Sequence, residues 1–201
     1  MSLKPVSGTP TRLGRVSLVK VRAIDPGGRA VDGKSIAISR VRRSVNQILD
    51  ENVLCSMATL APRRRPYINI AYFSFSSSLE VFFLSDPQSA HCRNLVRQPW
   101  MSIAVYSTRQ QWGRPDRGVQ LTGTCRQTTG NVRERAQRNY SRRFPRYRRF
   151  VNEAAGTSFA RYRLYRFAPS ALKVLDERDL GDGVLVAASV RPTPTRQRRS
   201  S

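Results

Sequence analysis

Residues 79–106 set a strand, a polar turn, a short helix and a second strand directly one after another, an order few folds can accommodate. Residues 79–84 are rich in β-branched and aromatic side chains, and Asp86-Pro87 stops the strand and turns the chain. Residues 90–98 take helical spacing until Pro99 ends the helix. Met101, Ile103 and Val105 then alternate with Ser102, Ala104 and Tyr106, as a half-buried strand requires. The turn gathers Ser85, Gln88, Ser89, His91 and Arg93 in front of a helix N-terminus, a composition suited to holding an anion.

The rest of the chain extends this pattern. Val41, Val45, Ile48 and Leu49 share one face of an amphipathic helix that ends near Asn52. Residues 53–60 form a nearly all-apolar strand, suited to a wall buried on both faces, and residues 62–66 turn it into a strand over 67–75. Further strands are predicted over 118–126, 159–167, 172–175 and 184–190, with Pro169-Ser170 as a turn between the second and third of them. A helix over 131–144 turns Val132, Ala136 and Tyr140 inward and Arg133, Arg135, Arg138, Arg142 and Arg143 outward. Ahead of all this, residues 15–22 read as a strand, Asp25-Pro26-Gly27-Gly28 as a turn, and residues 30–38 as a returning strand. The expected division is a basic extension over 1–37, hairpin or disordered, one domain over 38–190, and a basic disordered tail over 191–201. Short strands joined by tight turns predict a mainly β chain with flanking helices, an antiparallel meander or barrel.

Taken together, Leu84-Ser85-Asp86-Pro87-Gln88-Ser89-Ala90-His91-Cys92-Arg93-Asn94-Leu95 and residues 99–105 resemble the FMN-binding split barrels related to pyridoxamine 5'-phosphate oxidase. Residues 54–60, 66–73 and 117–123 agree in the same order, so the resemblance covers residues 41–176. It implies an antiparallel Greek-key split β-barrel, a homodimer with its cofactor at the subunit interface, and FMN-dependent oxidoreduction of a small substrate or a nicotinamide electron donor. In that family the phosphate is held at the positions of Ser85, Ser89 and His91, with His91 standing where many relatives carry Lys. Asn69 and Ala71 would lie along the isoalloxazine, and Gln120 and Trp112 would reach it from the partner subunit. The same barrel hosts deazaflavin and haem, which stand as alternatives to FMN. No catalytic residue is assigned.

Charge adds a second reading. The formal net charge is +23, nearly all of it from Arg. Codon usage in a GC-rich genome and selection for anionic partners both produce such a bias. Residues 133–149 interleave arginines with Tyr140, Phe144 and Tyr147, a pattern that fits a nucleic-acid-binding protein.

Other chemistries are poorly supplied. A single histidine rules out a His-rich metal site, no Gly-x-Ser-x-Gly elbow presents a nucleophile, and carboxylates are few and scattered. Hard chemistry would therefore come from a bound cofactor. Cys55, Cys92 and Cys125 are far apart and odd in number, which suits a reducing compartment, and no apolar run is long enough to span a bilayer. A soluble, cytoplasmic protein is expected.

Overall fold

The computed structural model describes residues 16–31 and 35–192. In chain order it contains β1 (Val16–Ile24), α1 (Ile38–Glu51), β2 (Leu54–Leu60), β3 (Pro66–Phe75), β4 (Val81–Ser85), α2 (Ala90–Arg97) and β5 (Trp100–Tyr106). There follow β6 (Arg117–Gln127), α3 (Gly130–Arg143), α4 (Tyr147–Glu153), β7 (Arg163–Asp176), α5 (Glu177–Leu180) and β8 (Leu185–Pro192). The tails expected to be disordered over 1–11 and beyond 192 lie outside the described residues, whereas Arg191 and Pro192 belong to β8.

Strands β2, β3 and β4 form a meander, and β5 returns to pair with β2, the Greek-key step. β6 follows β5, and β7 pairs with both β6 and β4, closing a six-stranded antiparallel barrel. β7 is long enough to serve two partners on one edge: β4 takes residues 163–167 and β8 takes residues 171–175. β1 then adds outside β8. The return strand expected over 30–38 is reduced, among the described residues, to one bridge between Ile24 and Ala30; the partner of β1 lies at the far end of the chain instead.

Alternation along the strands fills the barrel. Cys55 and Met57, Met101, Ile103 and Val105, and Val119, Leu121 and Cys125 point inward with Phe73, Phe83 and Phe167, all buried. α1 lays Val41, Val45, Ile48 and Leu49 on this core. The helix is pinned there by Ser44, whose hydroxyl donates to Asp176 Oδ2 at 2.6 Å, while Arg117 Nε donates to Asp176 Oδ1 at 3.0 Å.

The turn expected at Pro169-Ser170 does not exist, because β7 runs straight through it. Thr122 pairs with Ala171 and Gly123 with Pro169, so Ser170 is the extra residue of a β-bulge, its hydroxyl donating to the Thr122 carbonyl at 3.1 Å. Proline is tolerated within a sheet at such a site because no ladder hydrogen bond is asked of it.

Tyr140, Phe144 and Tyr147 are not a stacking platform. With Ala136, Phe150 and Leu84 they cover Phe82 and Leu164 in a second apolar cluster beneath α3, the rings of Tyr140 and Tyr147 5.0 Å apart. Arg143, read from sequence as outward, turns inward: its guanidinium sits 5.0 Å over the Phe73 ring and donates to the Leu49 carbonyl at 2.7 Å, capping the end of α1. Among the described residues no helix is long and apolar enough to cross a membrane.

Candidate functional site

β4 ends at Ser85 because Asp86-Pro87 cannot continue it. Asp86 Oδ1 accepts from the Gln88 amide at 2.9 Å, and the Asp86 carbonyl accepts from the Ser89 amide at 3.0 Å, a tight turn that delivers Ser89 to the cap position of α2. Ser89 makes no side-chain cap hydrogen bond. Its hydroxyl faces His91 instead.

Three polar groups thus converge. Ser85 Oγ lies 2.7 Å from His91 Nε2, Ser89 Oγ lies 3.2 Å from the same nitrogen, and the two hydroxyls are 3.4 Å apart. Ser85 and His91 are buried and Ser89 is half-buried. Burial lowers the His91 pKa below its ordinary value, so the imidazole is neutral at pH 7 and offers one nitrogen to the hydroxyls. α2 is held over the barrel by Asn94, whose Nδ2 donates to buried Thr59 Oγ1 on β2 at 3.1 Å.

Arginines edge the cluster. Arg163 stands opposite Ser85 in the β4–β7 register, its guanidinium donating to the carbonyls of Ala160 and Tyr162 at 2.9 Å each. Arg93 donates to the Gln88 carbonyl. Both bind carbonyls, and neither meets a carboxylate among the described residues. Arg161 is spent differently: its Nε meets Asp86 Oδ2 at 2.6 Å, and the Gln88 amide together with that guanidinium holds the Asp86 carboxyl below the usual carboxylate range. Arg161 and Arg163 were invisible to sequence reasoning, because only the pairing of β4 with β7 brings them to a turn far upstream.

Asn69 and Ala71 lie on the face of β3 that carries buried Phe73 and looks into the barrel. Ala71 packs on the core, and Asn69 is half-buried with its Nδ2 donating to the Ile70 carbonyl at 3.3 Å. β4 pairs with β3 only over residues 73–75, so the first half of β3 leaves one backbone edge without a strand partner. Gln120 and Trp112 are elsewhere. Gln120 is exposed on the outer wall, in register with Ala104 and Lys173, and Trp112 is fully exposed in the loop after β5. Within this chain Gln120 faces outward from the barrel, whereas Ser85 is buried, so the two do not meet.

That outer wall is apolar. Ile68, Ile70 and Tyr72 on β3 are 69%, 63% and 58% exposed, and Leu54, Trp100 and Tyr106 on neighbouring strands are also exposed. Between them stand Ser56, Ala58, Ser102, Ala104, Gly118 and Gln120, so the middle of this face is uncharged in a chain of net charge +23, with Lys173 beside Gln120 at its β7 edge.

A closed Greek-key barrel with helices over its ends and a hydroxyl–imidazole cluster where β4 meets α2 is the build of a split-barrel protein. The chain belongs to the pyridoxamine 5'-phosphate oxidase family, whose sequence profile matches residues 41–176. No curated protein matches the sequence. Among solved structures, a haem-binding protein from Mycobacterium smegmatis is similar with a TM-score of 0.60 at 13% identity, over 78% of this chain and 59% of that one. A haem storage protein from Vibrio cholerae gives 0.51 at 16% identity, over 63% of this chain and 88% of that one. A Clostridium acetobutylicum protein of the pyridoxinephosphate oxidase family, related to general stress protein 26, gives 0.54 at 9% identity, over 75% and 94%. At these identities the likeness is one of fold.

Proposed function

We propose that the chain is an FMN-binding oxidoreductase that acts as a homodimer in the cytoplasm on a small substrate or a nicotinamide donor. The convergence of Ser85, Ser89 and His91 within 2.7–3.4 Å of one another, at the head of α2, carries this reading. Their hydroxyls and imidazole have mainly each other as partners, and together they match the oxygens of a phosphate monoester. Arg93 and Arg163 supply the positive field that neutral His91 lacks. The residues therefore fit the FMN phosphate. The open edge of β3 at Asn69 and Ala71 leaves backbone groups to orient a flat ring system. FMN, when bound, would supply hydride or electron transfer, and the chain would hold it, orient it and exclude water.

The apolar stretch of outer wall around Ile68, Ile70, Tyr72 and Trp100 supports the dimer, because a contiguous apolar patch on so basic a chain is best covered by a second copy. In that arrangement Gln120 and Trp112 reach a neighbour's cofactor. Replacing Ile68 and Ile70 together by Glu is expected to convert a dimer of twice 22.8 kDa into monomers, as read by light scattering after gel filtration. A wild-type mass of one chain would remove the dimer from the proposal.

FMN binding should be linked to pH through His91. A bound phosphate raises the imidazole pKa, whereas burial lowers it in the empty site. Binding therefore takes up a proton, and affinity rises as pH falls from 8 towards 6. Fluorescence-quenching titrations should show this rise in the wild type and a flatter profile in His91→Gln. An identical slope in both would exclude His91 from the phosphate site. Removing the Ser85 and Ser89 hydroxyls should each weaken FMN about tenfold or more, the worth of a hydrogen bond to a charged group.

Haem is the less favoured ligand here. The one histidine is His91, and its Nε2 is held by two serine hydroxyls rather than presented to a metal. Deazaflavin stands as the other alternative and would be separated from FMN by direct competition.

A further inference from the structure

A second pocket, apart from the Ser85 cluster of the same chain, lies at the other end of β5. The loop over 107–116 folds against the end of α1 and against α5, enclosing about 280 Å³ lined by Arg109, Arg114, Arg117 and Arg178 with Gln110 and Glu51. α2 leads into the start of β5 and this loop leaves its end. Ser85 pairs with Arg163 at the start of β7, whereas Arg117 of the pocket lining pairs with Asp176 at its end, so the two sites lie at opposite ends of that strand.

The four guanidiniums are not equivalent. Arg117 is committed: it meets Asp176 at 3.0 Å and Glu51 at 2.7 Å, which also occupies the one carboxylate in the lining. Glu177, next in line, gives its carboxylate to the backbone amides of Asp116 at 2.8 Å and Gly183 at 2.9 Å. Arg109, Arg114 and Arg178 are left with no ion pair among the described residues.

The loop that presents them is anchored. The Arg117 amide donates to Gln110 Oε1 at 2.5 Å, the Arg114 amide to the Gln111 carbonyl at 3.1 Å, and the Glu177 amide to the Asp116 carbonyl at 3.1 Å. The reciprocal bonds between Asp116 and Glu177 tie the arginines of the loop to Arg178 on α5. Three unpaired forks facing one small concavity repel one another until an anion joins them. A single carboxylate satisfies one fork, whereas a multiply charged phosphate has oxygens for all three. Ile48 and Pro115 add apolar wall for the remainder of an ester.

We infer that this pocket binds a small phosphate ester or diphosphate, independently of the cofactor site. The test uses full-length protein and inorganic pyrophosphate as the probe, titrated calorimetrically at 150 mM salt. One site per chain is expected, at least tenfold weaker in Arg109→Gln/Arg114→Gln/Arg178→Gln. It should stay within twofold in Ser85→Ala/Ser89→Ala/His91→Ala and in the charge-matched Arg133→Gln/Arg142→Gln/Arg148→Gln. Absence of binding overturns the inference. So does equal weakening in the two arginine variants, which would mean diffuse charge, or loss in the serine variant, which would place the anion at the cofactor site. Single-stranded RNA that binds through Arg109, Arg114 and Arg178 where pyrophosphate does not would make the pocket a nucleic-acid interface and overturn it likewise.

Discussion

Asp176→Ala should lower the stability of the fold by about 3–5 kcal/mol, the cost of removing one partner from a buried ion pair. Asp176 is wholly buried at the end of β7 and joins three elements: Ser44 of α1 and Arg117 of β6 both donate to it. Without it the Arg117 side chain, 9% exposed, keeps only Glu51, which is 56% exposed and well solvated. The Ser44 hydroxyl would be buried without its acceptor. Such a loss is a large share of the 5–15 kcal/mol typical of a folded domain. Denaturant midpoints should fall steeply for Asp176→Ala and less for Asp176→Asn, whose amide oxygen can still accept from one donor. A midpoint unchanged in Asp176→Ala would mean that α1 is held by its apolar face alone.

Gly123→Ala should be as damaging for a different reason. A Cβ at Gly123 would stand 2.1 Å from the Ala168 carbonyl oxygen and 2.8 Å from Pro169 Cα, both backbone atoms at the bulge that bends β7. Flexible side chains give way cheaply, but here the β6–β7 ladder itself must part, so the cost should exceed the roughly 1–3 kcal/mol of ordinary overpacking. Gly118→Ala is the control, because there the nearest atoms are the Tyr106 Cβ at 3.5 Å and the Val105 carbonyl at 3.6 Å, ordinary contacts. Soluble yield and thermal midpoint should collapse for Gly123→Ala and hold for Gly118→Ala. Equal behaviour of the two would contradict the bulge.

The contrast between these residues and the candidate site marks what was legible in the sequence. Ser85, Ser89 and His91 lie within one turn and one helix start, so short-range turn and cap chemistry sufficed to group them. The Greek-key order was reachable only through the family resemblance. Register is a long-range property, and so the neighbours it creates were missed: Arg163 opposite Ser85, and β8 rather than residues 30–38 beside β1. Pro169 was misread because proline marks turns and bulges alike, and only the partner strand decides between them. Helical spacing already turned Tyr140 inward, but Tyr147, beyond Pro145, looked available among arginines until Phe82 and Leu164 were brought beneath α3. Arg109, Arg114 and Arg178 carry no local signal at all in a chain of such uniform basicity.

The central claim, a flavin phosphate held by Ser85, Ser89 and His91, is tested most directly by the visible absorption spectrum of the purified protein, recorded before and after incubation with FMN and desalting. Flavin bands should be retained by the wild type and lost from a folded Ser85→Ala/Ser89→Ala/His91→Ala variant. A wild type that stays colourless at micromolar FMN, or a variant that keeps the bands, would contradict the assignment.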